Sequence, residues 1–371
     1  MTTINVDNAY MDTAISLAER GLGQTWPNPS VGCVIVKDGV VMGRGWTQPG
    51  GRPHAENEAL RRAGEGAAGS TLYVTLEPCA HQGSTPPCAQ SLIDAGVRRV
   101  VIGIEDPDPR VNGKGVKMLK EAGVHVDIGV RKSDVEIATK GFLMRNLEGR
   151  PQISLKLATT LDGRIACASG DSKWVTGEVA RRSGHLLRAS HDAILVGATT
   201  ATHDNPSLTC RLPGMLDRSP IRIIVDGRMR LPLSNKLVVD AKKFPTWLFT
   251  LPTSYSDSNK RCIYVEAGVE VFEINEDKNG NPDLQMLVSV LGDRGLTRLL
   301  IEGGGVIAAA FLKLGLIDEI FWYRASKIIG GDGLPAIAGM GIEEMQETKR
   351  MSRVFSDIVG DDVIERYKIT G

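Results

Sequence analysis

Pro53-His54-Ala55-Glu56, Glu77-Pro78-Cys79 and Pro86-Pro87-Cys88 follow one another in the first quarter of the chain. They supply one imidazole and two thiols, with a carboxylate two residues after the histidine. A catalytic zinc takes three protein ligands and leaves a fourth position for water. A His/Cys/Cys set with a Glu that is not a ligand is what hydrolytic removal of an amino group from a heterocycle uses. Two thiolates and a neutral imidazole cancel the dication's charge, so such a zinc acidifies its water less than an all-His site would. A carboxylate beside that water takes its proton and passes it to the ring nitrogen and the departing ammonia. We therefore read His54, Cys79 and Cys88 as ligands and Glu56 as general acid/base. The bland alternatives are a surface histidine, a solvated carboxylate and ordinary buried thiols, or a closed structural zinc with His81 as fourth ligand. Eight residues separate the cysteines, where the general zinc-deaminase signature has two. The longer loop is expected to wall one side of the pocket and to bear on substrate choice.

Charge and length bound the rest. The 371 residues carry 44 basic and 44 acidic side chains and 42% apolar residues, which predicts a globular protein of two or three domains. A net charge of zero disfavours bulk nucleic-acid or anionic-membrane binding, and with them a deaminase that edits RNA or DNA. Met1 to Asp7 lacks the profile of a signal peptide, and no apolar run approaches the roughly 20 residues of a membrane span. The expectation is a cytoplasmic protein acting on a small molecule. Six cysteines in a chain this long do not form a disulfide scaffold. Two are given to the metal; Cys33, Cys167, Cys210 and Cys262 are expected as reduced core thiols.

Along the first half, the spacing predicts a helix over 10–20, a hairpin over 31–46 around Lys37-Asp38-Gly39, and a helix over 54–63. A strand over 72–76 delivers Glu77-Pro78-Cys79, and a helix over 87–95 carries Cys88 near its start. Strands over 100–104 and 124–128 flank a helix over 114–122. This alternation predicts a three-layer α/β sandwich. Gly113-Lys114-Gly115 lacks the remainder of a phosphate-loop motif and reads as a turn. Asn28, before the first strand, is either a turn-capping residue or an amide facing a pyrimidine edge. Periodicity lapses over 145–150, so a boundary is expected near 148, giving domains 1–148 and 149–371.

The second half reads as α/β again, with strands over 151–158, 193–196, 221–225, 247–250, 263–265, 299–301 and 320–323. Helices are expected over 178–189, 284–291 and 306–314. Ile301-Glu302-Gly303-Gly304-Gly305-Val306 runs from a strand through glycines into a helix. That junction suits an approaching phosphate or a tight turn equally, and it is not a G-x-G-x-x-G fingerprint.

With both halves laid out, the chain resembles the bifunctional riboflavin-biosynthesis deaminase/reductase family along nearly its whole length. The segments that carry the likeness are Pro27-Asn28-Pro29, Pro53-His54-Ala55-Glu56, Glu77-Pro78-Cys79 and Thr85-Pro86-Pro87-Cys88 in the first half. In the second they are Lys156-Leu157-Ala158, Leu161-Asp162-Gly163-Arg164, Trp174-Val175-Thr176, Asp204-Asn205-Pro206 and Glu302-Gly303-Gly304. The resemblance implies a cytidine-deaminase-like N-terminal domain, a C-terminal α/β domain similar to dihydrofolate reductase, and a homo-oligomer, dimer or tetramer. It implies zinc and NADPH as cofactors and two consecutive reactions on one phosphoribosyl pyrimidine. Water first replaces the 2-amino group, with Asn28 holding the ring; hydride then converts the ribosyl group to ribityl. Carried over, Ala158, Trp174, Thr200, Asp204 and Gly304, Gly305, Val306, Ile307, Ala308, Ala309 and Ala310 look like cofactor contacts. Ser172, Arg188, Leu208, Arg211 and Glu302 look like substrate contacts, the arginines suiting the 5′-phosphate. Two departures stand out: Gln82-Gly83-Ser84 where many relatives have an Arg, and Gly227 where relatives can use a Ser. Arg228 is a weak candidate for the extra phosphate of NADPH. The runner-up reading is a deaminase alone, with a nucleotide-binding regulatory C-terminal half.

Overall fold

A computed structural model describes residues 3–82, 86–108, 112–252 and 258–369. The chain divides into two compact units, Met1–Gly149 and Arg150–Gly371.

The first unit runs α1 (Thr3–Glu19), β1 (Gly32–Lys37), β2 (Val40–Trp46), α2 (Ala55–Ala63), β3 (Thr71–Leu76), α3 (Cys88–Asp94), β4 (Arg99–Ile104), α4 (Lys114–Glu121), β5 (His125–Ile128) and α5 (Lys132–Glu148). Its strands lie in the order β2-β1-β3-β4-β5, antiparallel over the first three and parallel over the last three. Strand β1 is buried nearly throughout, and glycines let helices lie directly on both faces. A Cβ at Gly32 would overlap the backbone of Ala14 in α1, and one at Gly43 or Gly45 would overlap carbonyl oxygens of α2. Cys33 faces Gly45 across the ladder, so consecutive residues of β1 face α2 and α1 in turn. The unit is therefore helix on sheet on helix.

Where the spacing predicts a lapse at 145–150, the structure has the last turn of α5, which ends at Gly149 with φ +71. The first helix begins at Thr3, seven residues earlier than its apolar spacing predicts. A charged contact ties down its early turns. Asp7 is buried, accepts two bonds from the Arg99 guanidinium at 2.9 and 2.8 Å and one from the Tyr73 hydroxyl at 2.7 Å. The Arg99 hydrogen bonds hold the Asp7 carboxyl below the usual range even against its burial. A depressed folded pKa contributes stability above the unfolded value and loses it as pH falls through the folded one. Asp7→Asn is thus expected to cost about 3 kcal/mol near neutral pH and to flatten the loss of stability below about pH 4. Chemical unfolding at pH 7 and at pH 3 checks both; a difference that stays constant with pH would contradict the charge pairing.

The second unit runs β6 (Gln152–Thr159), β7 (Arg164–Ala166), α6 (Glu178–Ala189), β8 (Ala193–Gly197), α7 (Ala198–Asp204), β9 (Ile221–Val225), α8 (Lys236–Val239), β10 (Thr246–Thr250), α9 (Ser258–Glu266), β11 (Val269–Glu273), α10 (Leu284–Asp293), β12 (Arg298–Ile301), α11 (Gly305–Lys313), β13 (Glu319–Arg324), β14 (Leu334–Pro335), β15 (Met351–Val359) and β16 (Asp362–Ile369). Among the described residues a nine-stranded sheet has the order β11-β10-β9-β8-β12-β6-β13-β16-β15. All ladders from β11 to β13 are parallel, and β16 and β15 add an antiparallel hairpin at the edge. Strand β12, late in sequence, is inserted between β6 and β8, so the carboxyl ends of β6, β8 and β12 stand side by side. Open α/β sheets carry their ligands at such strand ends.

Two expectations are overturned here. Residues 263–265 do not form a strand; they lie in α9. Tyr264 points inward, fully buried with its hydroxyl on the Leu231 carbonyl, while Ile263 and Val265 are exposed. Tertiary burial of one aromatic outweighs the β-propensity of its neighbours. Cys33 and Cys210 are buried, but Cys167 and Cys262 are exposed, so only two of those four are core thiols.

Candidate functional site

The zinc-type cluster of the first unit is assembled by two helix starts and one strand end. His54 caps α2 in an extended conformation, and Glu56 follows in the first turn, only 4% exposed. The Gly43–Gly45 approach seats this helix on β2, so the histidine and the carboxylate reach the end of β3. Cys79 follows that strand end, and Cys88 opens α3. The first two N–H groups of α3, which have no partner within the helix, donate to Cys79: Cys88 N–H to its sulfur at 3.3 Å and Ala89 N–H to its carbonyl at 3.2 Å.

His54 Nδ1, Cys79 Sγ and Cys88 Sγ all lie within 4.8 Å of one another. Nδ1 is 3.3 Å from the Cys88 sulfur and 3.8 Å from that of Cys79. Tetrahedral zinc with ordinary Zn–N and Zn–S bonds asks for N···S edges of about 3.6 Å, so the donors fit that ion. Among the described residues no fourth His, Cys, Asp or Glu joins them, and His81 is exposed outside the cluster. The Cys88 and His54 hydrogen bonds pull the Cys79 thiol down to about 4 despite burial. Burial, opposed by His54, raises the Glu56 carboxyl, which also interacts with the Cys88 thiol. A carboxyl raised toward neutrality takes and returns a proton more evenly.

Glu77 sits in the same strand end and is not a ligand. Its buried carboxylate accepts four backbone N–H groups, from Asp106 at 3.2 Å, Gly113 at 3.0 Å, Gly115 at 2.9 Å and Val116 at 3.1 Å. The stretch 113–115, expected as a turn, is instead the start of α4 with Gly113 as its cap, and it cradles an anion from its own chain. Nothing in the sequence marks Glu77 for this role, since an acid before Pro-Cys carries no periodic signal.

Asn28 is partly buried, and its amide is backed by Gly51, which has φ +82 and leaves no room for a Cβ against the amide nitrogen. Gly51→Ala is expected to displace Asn28 and, on the role that the family resemblance implies for that amide, to lower kcat/KM for deamination about tenfold, the loss of one or two ring hydrogen bonds. Hydride transfer to already deaminated product should be unchanged in that variant. Unaltered deamination would remove Asn28 from the site. Gly83, Ser84 and Thr85 of the zinc loop lie outside the described residues.

In the second unit Glu302, just past the end of β12, meets Arg188 of α6 and Lys156 of β6. Arg188 grips the Glu302 carboxylate through Nε at 2.7 Å and Nη2 at 2.9 Å, and reaches the Thr209 carbonyl at 3.0 Å. Lys156 Nζ stands 3.9 Å from Glu302 and over the Tyr323 ring. Burial alone would raise the Glu302 carboxyl; Arg188 and Lys156 outweigh it and hold it at about 2. Burial also lowers the Lys156 ammonium. Arg211, two residues after Thr209, is exposed, and its backbone N–H donates to His185 Nδ1 at 3.4 Å. Burial and the two neighbouring arginines push His185 down to about 4, so it is neutral near pH 7. Lys156 and His185 were missed as site residues, although Lys156 opens a motif singled out in the sequence.

The helix after the glycines begins at Gly305, and Gly304 N–H donates to Thr200 Oγ1 at 3.1 Å, joining the heads of α11 and α7. Val306 is exposed, whereas Ala308 and Ala309 face the core and Ile307 abuts Gly197. Ala158 pairs with Tyr323 across β6 and β13. Trp174 is 65% exposed, with the Arg181 guanidinium 4.3 Å over its ring. Ser172 is exposed and Leu208 buried at φ +55. Asp204, at the end of α7, is exposed and bonds His203 at 2.9 Å; no bond joins it to the Glu302 cluster among the described residues. Arg228 is exposed beyond β9, and Gly227 packs against Pro282.

A three-donor His/Cys/Cys centre with a buried glutamate is that of a zinc deaminase, here followed by a parallel α/β unit that gathers Arg188, Lys156 and Glu302. Comparisons agree on both halves. Residues 4–104 match the cytidine and deoxycytidylate deaminase zinc-binding region, and residues 151–360 match the RibD C-terminal domain. The riboflavin biosynthesis protein RibD of Bacillus amyloliquefaciens is 41% identical over 96% of this chain and 95% of its own length. That of Escherichia coli K12 is 42% identical over 96% and 98%. Acinetobacter baumannii RibD superposes with a TM-score of 0.89 at 38% identity, covering 99% of this chain and all of that one. A Thermotoga maritima diaminohydroxyphosphoribosylaminopyrimidine deaminase/5-amino-6-(5-phosphoribosylamino)uracil reductase gives 0.86 at 32% identity, with full coverage of both chains. The chain belongs to the RibD family of bifunctional riboflavin-biosynthesis deaminase/reductases.

Proposed function

We propose that this chain deaminates 2,5-diamino-6-(5-phosphoribosylamino)pyrimidin-4-one at C2 and then reduces the ribosyl group of the resulting uracil to ribityl with NADPH. The observation that carries the first step is the convergence of His54, Cys79 and Cys88 on one point, with Glu56 buried beside them. Zinc held by those three residues supplies Lewis acidity toward water. Asn28 orients the pyrimidine so that C2 faces the centre. Glu56 takes one proton from the attacking water and passes it to the ring nitrogen, then takes the proton of the new C2 hydroxyl and passes it to the amino group, so that the C2–N bond breaks, ammonia leaves and C2 becomes a carbonyl.

NADPH supplies the hydride of the second step. The second unit's own work is positioning and charge. Arg188 and Arg211 receive the 5′-phosphate, and Ser172, Leu208 and Glu302 the remainder of the substrate. Ala158, Trp174, Thr200, Asp204 and Gly304 to Val306 line the cofactor, and Ala308 and Ala309, which face the core, back that helix start. Opening of the sugar leaves C1′ as an imine carbon, which accepts the hydride while its nitrogen takes a proton.

A deaminase with a merely regulatory C-terminal half is not favoured, since the relatives match both halves over nearly their whole lengths. A homo-oligomer, dimer or tetramer, is part of the proposal; it is supported by β15, an edge strand exposing Val354, Phe355 and Ile358. Sedimentation of the purified protein tests this, and a monomer at micromolar concentration would refute it. No helix among the described residues is long and apolar enough to cross a membrane, and we place the protein in the cytoplasm.

The deciding experiment gives the purified protein the diaminopyrimidine nucleotide and follows ammonia and NADPH oxidation in parallel. Both should appear, ammonia first, and a chelator should stop ammonia release while sparing hydride transfer to the uracil. Ammonia without NADPH oxidation would leave only the deaminase.

A further inference from the structure

The turn that leads from β6 into β7 holds one other segment of the second unit, residues 327–338, which in turn reaches two more. Thr160 Oγ1 donates to Asp162 Oδ1 at 2.6 Å and accepts the Arg164 N–H at 3.0 Å. Asp162 then spends both carboxylate oxygens on residues downstream of β13. Oδ1 accepts the N–H of Ile329 at 3.3 Å, and Oδ2 that of Gly330 at 2.7 Å. Alongside, Leu161 N–H donates to the Lys327 carbonyl at 2.7 Å, and the Lys327 ammonium donates to the Trp174 carbonyl at 2.7 Å.

The same segment continues onto the head of α11. Ala336 N–H donates to the Gly163 carbonyl at 3.1 Å, and Ala338 N–H to that of Gly305 at 2.9 Å. A Cβ at Gly305 would stand 2.7 Å from the Pro335 carbonyl oxygen, so backbone lies on backbone there. Residues 327–338 are therefore gripped by the Asp162 turn and in turn touch Trp174 and Gly305. Asp162 and Lys327 are exposed, so these bonds hold loops in place and contribute little to the core. The Thr160 hydroxyl and the backbone N–H groups hold the Asp162 carboxyl at about 2, which keeps the grip ionised at assay pH. Hydrogen bonds to an ionised acceptor are about twice as strong as neutral ones.

We propose that Asp162 is a positioning residue for the cofactor side of the reductase site, setting Trp174 and the start of α11 through the 327–338 segment. The inference rests on the assignment of Trp174, Gly304 and Gly305 as NADPH contacts. Asp162→Ala, in the full-length protein, is expected to raise the NADPH Kd and KM about tenfold, as loss of charge-assisted hydrogen bonds does. The kcat at saturating NADPH and the KM for the uracil substrate should stay within about twofold, a split that general loosening of the fold would not give. Asp162→Asn keeps one acceptor oxygen and should fall between wild type and Asp162→Ala. Lys327→Met should shift NADPH affinity in the same direction, and it decides the matter if Asp162→Ala does not fold. Ammonia release by each variant, carried by the other unit, is the control for an intact chain. NADPH binding by fluorescence is measured on wild type first. No binding there would sink the reductase-site assignment itself, whereas wild-type binding with unaltered affinity in Asp162→Ala and Lys327→Met would overturn this inference alone.

Discussion

Glu56→Gln should retain one zinc per chain and lose ammonia release by about 10²- to 10⁴-fold, the span that a positioned general acid/base contributes. The substitution is nearly isosteric, so α2 still starts at the same place and His54 still caps it. The three donor atoms belong to other residues, and Glu56 is not among them. What changes is that an amide can neither take the proton of water nor return it to the leaving amine. Burial, opposed by His54, raises the Glu56 carboxyl above its ordinary value, so the wild-type group works nearer neutrality than a solvated glutamate would. Metal content by elemental analysis and ammonia by a coupled assay check the two halves of the claim. Normal deamination by the variant would remove Glu56 from the mechanism, and loss of the metal would make it a structural residue.

Arg188→Ala is expected to lower kcat/KM for NADPH oxidation by at least about 10²-fold while ammonia release stays within about twofold. Arg188 makes two parallel bonds to Glu302, and its side chain is only 14% exposed. Truncating one partner of such a buried pair costs about 2–5 kcal/mol, much of it from the charge left behind. Lys156 at 3.9 Å is then the nearest cation to Glu302, and its own ammonium is disfavoured by burial. Arg188→Lys should recover only part of the loss, because an ammonium cannot reproduce the two-pronged grip. Steady-state assays on authentic uracil nucleotide separate the outcomes. Retained NADPH oxidation in Arg188→Ala would leave the 5′-phosphate without its proposed partner and would reopen the regulatory alternative for this half.

Chemistry was more legible in the sequence than placement. His54, Cys79 and Cys88 declared themselves by residue type and spacing, because a metal demands particular atoms whatever the surrounding fold. The strand-to-helix junction at Glu302–Gly305 was visible for a related reason, since glycines there mark close backbone approach. Features set by tertiary contact were not visible. Tyr264 draws 263–265 into a helix, and Asp7 holds α1 through Arg99, a residue 92 positions away. The hairpin of β15 and β16 left no alternation to read, because residues 352–358 are exposed on both sides of the strand. Gly43 and Gly45, spaced two apart in β2, are a signal that could have been used: a pair of glycines on one strand face marks where a helix lies close. The partnership of Lys156 with Glu302 joins β6 to the end of β12, and only the parallel pairing of those strands brings them together.

The cradle around Glu77 couples the metal-bearing strand end to the head of α4. Gly113, Gly115 and Val116 all hand their amides to that one carboxylate. A shift of α4 is therefore carried along the backbone to Cys79, two residues further on.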